Sequence, residues 1–294
     1  MEQLLEVEMI SARVAELSPA SQRQFAGDHA GIARDLICRR LFASVFTSNN
    51  HPSQAVSRSP PLALTPPVTT MGIIKKTIYT GVLTGLGVAG YLGAATTVVR
   101  PLPRDDPLFA SKIYARYNAH NNGSAQDVVV KRIPLSKIRP ELLEKEGDLA
   151  LEFCRGVWSG LGYRFQRAYL ERKYRGPATS SQLWTVPQLE QSDYDVGTQI
   201  TDHFEVLDKT PTAITVRCGD TPRNPAPRDS DGLFVISAEV DRERGEAVLG
   251  LKSCFFVSAR AVEGIQGPMP GWMEVLHVWY SRLWLETGAW RVTK

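Results

Sequence analysis

The densest chemistry in the second half of the chain is a run of four residues, Asp202-His203-Phe204-Glu205. Alternate side chains of a strand share a face. Asp202 therefore points with Ile200 and Phe204, while His203 points with Glu205. A carboxyl that follows Ile200 and Phe204 into an apolar cavity resists ionisation, and its raised pKa suits a general acid or base. Arg217 sits on the next apolar run and has two readings: it assists Asp202 in catalysis, or it neutralises Asp202 in an ion pair across a hairpin. The loop that follows, Arg217-Cys218-Gly219-Asp220-Thr221-Pro222-Arg223-Asn224 with Asp229 and Asp231, is dense in charge and turn formers. As a cavity rim it would place Arg217 or Arg223 on a ligand carboxylate or enolate. As turn chemistry alone it would bridge to itself. The candidate catalytic residues are thus Asp202 and Arg217. Phe204, Arg223, Trp279 and Tyr280 are candidate ligand contacts.

Other reactive side chains point to less. Cys38, Cys154, Cys218 and Cys254 form no CxxC pair and no Cys/His ligand spacing, so neither a metal site nor a disulfide framework is expected. No His lies near Cys218 in sequence to activate it, and the three later cysteines read as buried thiols. Gly85-Leu-Gly87-Val-Ala-Gly90 spells a dinucleotide fingerprint, but Pro101 and Pro103 follow too soon for the helix it requires, and no βα alternation comes later. No cofactor is expected. Asn122-Gly123-Ser124 is a glycosylation sequon if this side is lumenal, and otherwise a turn.

The elements that must position these residues begin after a long uncharged run. The chain has 294 residues, 43% hydrophobic and 22% charged, with a net charge of +3 from scattered Lys and Arg, which gives no sign of a nucleic-acid partner. Residues 1–70 read as a weakly helical then Ser/Pro-rich, disordered extension, and Met71 as the expected natural start. Residues 71–104 read as a membrane anchor and linker. Thr77–Val99 is 23 residues without a charge, flanked by Lys75 and Lys76 and by Arg100 and Arg104, and about 20 residues cross a bilayer core. Gly81, Gly85, Ala89 and Gly93 recur every fourth residue, a small-residue stripe suited to a transmembrane helix partner. Charge is similar on both flanks, so a single-pass orientation is not readable.

Residues 105–294 read as one α+β domain. DVVVKRIP is a strand. A helix follows, capped by Asp148, with Leu149, Phe153, Val157, Leu161, Phe165 and Tyr169 along one face and Gly156, Gly160 and Gly162 allowing close packing or a break. QLWTVPQLEQ is a capped turn of helix with Thr185 as its cap. The period then changes to two: GTQITDHFEVLDK pairs with TAITVRCGD, and GLFVISAEVDRERGEAVLGLKSCFFVS is a second hairpin turning near Arg244-Gly245. The last helix carries Trp272, Leu276, Trp279, Tyr280 and Leu283 on one broad face, with Glu274, His277 and Ser281 opposite and His277 expected at the surface. Trp158, Trp272, Trp279 and Trp284 are expected in the core.

This order of elements resembles the helix-grip fold of the START-like (SRPBCC) superfamily. The segments TIYTGVLTGLGVAGYLG, YNAHNN, FCRGVWSGLGYRFQRAYLERKYRG, QITDHFEV, VRCGDTPRN and SDGLFVISAEVD also resemble a fungal family associated with secondary metabolism. The fold resemblance implies a curved antiparallel sheet gripping the long C-terminal helix around an apolar cavity, here preceded by a single transmembrane helix. The family resemblance implies a tailoring protein of secondary-metabolite biosynthesis, and it carries no catalytic motif. Two functions follow as expectations. One is a membrane-anchored enzyme that cyclises, dehydrates or isomerises an apolar polyketide or terpenoid. The other is a non-catalytic carrier or scaffold for such a hydrophobic ligand.

Overall fold

A computed structural model describes residues 85–294 apart from 265 and 266. The extension 1–70, the first part of the uncharged run with Gly81, and Cys38 lie outside the described residues, which belong to a unit beginning at Tyr79. Seven strands form one antiparallel sheet in the order β1-β2-β7-β6-β5-β4-β3. They are β1 (Thr97–Val99), β2 (Ala125–Pro134), β3 (Gln199–Ile200), β4 (Phe204–Lys209), β5 (Ala213–Cys218), β6 (Asp231–Asp241) and β7 (Glu246–Phe256). The helices are α1 (residues 85–95), α2 (Pro107–Ala110), α3 (Lys112–Tyr117), α4 (Asp148–Ser159), α5 (Leu161–Tyr174), α6 (Val186–Gln191) and α7 (Gly271–Ala289). A seven-stranded antiparallel sheet closed by a C-terminal helix is the expected α+β architecture, and it is consistent with a helix grip.

Both hairpins read from alternation are present: Val216 pairs with Val206 across β4–β5, and Ile236 with Leu251 across β6–β7. The odd face of β2 and β7 and the even face of β6 build the main core with α4, α5 and α7. Its centre is a cluster of rings. Trp158 lies 4.8 Å from Phe204 and 5.5 Å from Trp284, which lies 5.1 Å from Tyr163 and 5.6 Å from Phe234. These rings pack between the sheet and helices α4, α5 and α7. Residues 102–117 cover the opposite face of the sheet: Leu102, Leu108 and Tyr114 pack on Leu233, Cys254 and Phe256.

The uncharged run does not continue as one helix to Val99. Helix α1 ends at residue 95, and Thr97–Val99 joins the sheet as β1, with Val98 opposite Val129. Three β-branched residues beside the edge of β2 favour a strand over a further helical turn. Arg282 of α7 donates to the carbonyls of Leu92 and Thr96 at 2.9 and 3.3 Å, satisfying acceptors that the helix end leaves open. Of the small-residue stripe, Gly93 faces Trp279 and Arg282 of α7, whereas Gly85 faces open space. Among the described residues no helix is long and apolar enough to cross a membrane.

Candidate functional site

Asp202 is fully buried, but not in an apolar cavity. It lies in the tight turn between β3 and β4, where Thr201 and Asp202 have φ of 49° and 54°. Asn and Asp are among the few non-glycine residues that adopt this left-handed region readily. Its carboxylate accepts from Thr221 Oγ1 (2.7 Å), Gln182 Nε2 (3.2 Å), Arg223 Nε (3.1 Å) and Arg223 Nη2 (2.8 Å). Burial opposes its ionisation, but the hydrogen bonds from Arg223, Thr221 and Gln182 outweigh that and hold its pKa below the usual carboxylate value. The raised pKa expected from strand alternation is therefore replaced by a lowered one, because the strand breaks at Thr201–His203.

Arg217 does not meet Asp202. It forms a bidentate pair with Asp231 at 2.9 and 2.7 Å, donates to the carbonyl of Ala226, and lies 4.4 Å from the centre of the Tyr117 ring. Arg228 binds the carbonyls of Asn224, Asp220 and Thr221. The loop between β5 and β6 is thus bridged largely to itself, the second of its two sequence readings, while Thr221 and Arg223 reach out of it to Asp202. Phe204 is in the ring cluster, Tyr280 donates to Gln166, and Trp279 is 39% exposed. The side-chain amide of Asn122 is buried and donates to the carbonyls of Val257 and Arg260, both at 2.7 Å, so the sequon nitrogen holds a loop. Cys154, Cys218 and Cys254 are buried free thiols, and burial pushes each pKa up.

A different polar cluster lies between α7 and the sheet. Asp127 of β2 and Ser253 of β7 are cross-strand neighbours in the register, and both point toward α7. His277 lies above them. Its Nε2 is 2.9 Å from Ser253 Oγ, 3.3 Å from Ser281 Oγ and 3.9 Å from Asp127 Oδ2. The ring of Phe255 stands edge-on to His277 at 5.0 Å. Asp127 Oδ1 is buried with no hydrogen-bond partner. An ion pair of Arg100 and Glu274 borders the cluster.

The electrostatics follow from this enclosure. Burial raises the Asp127 pKa to about 7, with Arg100 opposing and Glu274 reinforcing the shift. Burial lowers the His277 pKa to about 4, and the positive charge of Arg100 lowers it further. Near neutral pH the imidazole is uncharged, and the carboxyl exists in both forms. This is not a Ser-His-Asp triad: Asp127 and Ser253 both approach Nε2, whereas a triad places the carboxylate on the other ring nitrogen.

The sequence reading placed His277 at the surface, and the structure reverses that. Glu274, His277 and Ser281 face inward at the N-terminal half of α7, while Trp272, Leu276 and Trp279 face outward. Asp127 carried one available signal: it opens DVVVKRIP on the same strand face as Val129. Among the described residues no group of His, Cys, Asp and Glu is arranged to hold a metal ion. Comparison with family models, with curated proteins and with solved structures finds no match.

Proposed function

We propose that the domain is an acid–base catalyst for an apolar, carbonyl-bearing small molecule, with Asp127 as the residue that takes and returns the proton. The reading keeps the chemistry expected from the sequence, isomerisation, dehydration or cyclisation of a polyketide- or terpenoid-like compound, and moves it to another carboxyl. The observation that carries it is the buried Asp127 Oδ1 left without a partner beside His277 and Ser253. Unpaired buried carboxyl oxygens are costly and concentrate where chemistry needs them. In the simplest step the Asp127 carboxylate removes a proton from a carbon next to a carbonyl. The Ser253 hydroxyl donates a hydrogen bond to the developing enolate oxygen, and the protonated carboxyl returns the proton at a second carbon. Atoms and charge balance without a cofactor. His277 stays neutral and positions Ser253.

The test is replacement of the native gene by the Asp127→Asn variant, followed by metabolite profiling at matched protein levels. Loss of a proton-transfer group typically lowers turnover by about a hundredfold or more. The expected result is a missing product with its precursor accumulated, and an unchanged profile for Asp202→Asn. An unchanged profile for Asp127→Asn excludes the reading. The tightly packed ring cluster around Trp158 and Trp284 favours one alternative, a non-catalytic scaffold. A scaffold keeps its function in Asp127→Asn.

A further inference from the structure

The N-terminal half of α7 is inside out for a helix on a globular domain. Its polar residues face the sheet, while Trp272 (49%), Val275 (49%), Leu276 (43%) and Trp279 (39%) are exposed. These four stand at i, i+3, i+4 and i+7, a single helical stripe. Two helices flank it. On one side α1 meets α7 through Gly93, whose Cβ position lies 3.9 Å from Trp279, and it exposes Leu86, Val88 and Tyr91. On the other side α5 is tied to α7 by the Tyr280–Gln166 hydrogen bond and exposes Leu161 and Phe165. Apolar patches of this extent on a folded domain mark interaction sites.

Three observations identify what covers the patch. First, α1, a described part of the uncharged run, lies against α7 at this face and adds exposed Leu86, Val88 and Tyr91 to it. Second, the stripe is rich in Trp, the residue that favours the boundary between lipid and water. Third, α5 supplies exposed Arg164 and Arg172 beside Leu161 and Phe165, a mixture of cations and apolar side chains that matches anionic headgroups over acyl chains. We infer that the outer face of α7, with α1 and α5, docks on the surface of an anionic lipid bilayer, with Trp272 and Trp279 inserted at the interface. The docked face lies directly over the Asp127–His277 cluster, because His277 points inward from the same turns that carry Trp272 and Trp279 outward. The inference does not rest on the acid–base reading, since lipid binding does not involve Asp127.

The test uses the full chain with vesicles of phosphatidylcholine alone and with about one third phosphatidylserine, each made with and without brominated acyl chains. The wild type is expected to co-sediment preferentially with the anionic vesicles, and its tryptophan emission to be quenched by the brominated lipid. Trp272→Phe/Trp279→Phe should bind within about twofold, because its apolar area is nearly kept, yet lose most of the quenching. Leu276→Glu/Trp279→Glu should bind about tenfold more weakly or worse, and Arg164→Glu/Arg172→Glu should lose the anionic preference while still binding neutral vesicles. Asp127→Asn should bind as the wild type does. Quenching that survives in the double Phe variant means that lipid contact lies elsewhere in the chain, and overturns the inference. So does absence of binding by the wild type, or a lipid-free self-association that Leu276→Glu/Trp279→Glu abolishes, which would assign the face to a second copy of the chain.

Discussion

Asp127 and His277 sit 3.9 Å apart, and their titrations pull stability in opposite directions. The Asp127 pKa of about 7 lies above its ordinary value of 3.8, so the folded state holds the proton more tightly, and stability falls as pH rises from about 4 to 7. The His277 pKa of about 4 lies below its ordinary 6.5, so the unfolded chain holds the proton more tightly, and stability rises with pH over about 4 to 6.5. In the wild type the two slopes offset each other. Asp127→Asn should expose the His277 slope, with stability climbing by up to about 1.4 kcal/mol per pH unit. His277→Gln should expose the Asp127 slope, of opposite sign. Urea midpoints at several pH values between 4 and 6.5 measure both, and slopes of the same sign in the two variants would refute the assignment. Asp202 behaves differently, because its carboxylate gathers Thr221, Gln182 and Arg223. Asp202→Ala should lose about 2 kcal/mol, a figure held down by the half-exposed Arg223. Calorimetric melting at neutral pH would register that loss, whereas no shift would mean that the loop holds without it. The importance of Asp202 was legible from its place among Ile200 and Phe204, but its role was not. The role depends on a turn with positive φ and on a loop about twenty residues away closing over it, and neither leaves a periodic trace.

Helices α4 and α5 show what a single glycine decides at the scale of elements. The helical spacing of apolar residues predicts one helix from Leu149 to Tyr169, with Gly156, Gly160 and Gly162 permitting close packing or a break. The chain does break there, with Gly160 closing α4 and opening α5. Backbone contacts with α7 demand glycine on both sides of the break: a Cβ on Gly156 would stand 2.4 Å from the Gly288 carbonyl, and one on Gly162 would stand 2.7 Å from the Trp284 ring. Gly162→Ala should therefore destabilise by about 1–3 kcal/mol, since neither Trp284 nor the α7 backbone has room to move. Gly87→Ala in α1 meets nothing within 4 Å and should be neutral or raise stability by up to about 1 kcal/mol. Thermal denaturation of the pair distinguishes close helix packing from a generic cost of alanine, which would shift both variants alike. The pattern in α7 was read with its faces exchanged because the helix carries apolar residues on both. Periodicity finds a stripe, but it does not say whether protein or something else lies against it. Hairpin strands were easier, since alternation with Arg244-Gly245 between them admits one register.

At the scale of the whole molecule, the fold is closed by its last residues. Helix α7 packs on β2 and β7 and contributes Trp284 to the central ring cluster, so the core is incomplete until the C-terminal segment is in place. Beyond α7, Val292 is fully buried, its carbonyl accepts from Arg139 N at 3.0 Å, and Lys294 N donates to the Lys137 carbonyl at 3.1 Å. Arg291 reaches Glu190 on α6 at 3.1 Å, tying the same end of the chain to a third element. The order of strands and helices announced this architecture, but two parts of it had no signal. Residues 102–117, too short in each helix for a period to register, straddle the expected start of the domain at 105 and carry no sign that they form the cover of the second sheet face. The five residues after α7 have no pattern of their own and take their structure from the partners they meet. If the end of the chain completes one cooperative core, Val292→Ala should lower stability by about 2 kcal/mol. The near-ultraviolet signal of the Trp158–Trp284 cluster and the far-ultraviolet signal of the backbone should then shift together, with the urea m-value unchanged. A near-ultraviolet transition that precedes the far-ultraviolet one would show instead that α7 and its tail detach as a separate unit. The sheet would then be stable without the helix that closes it.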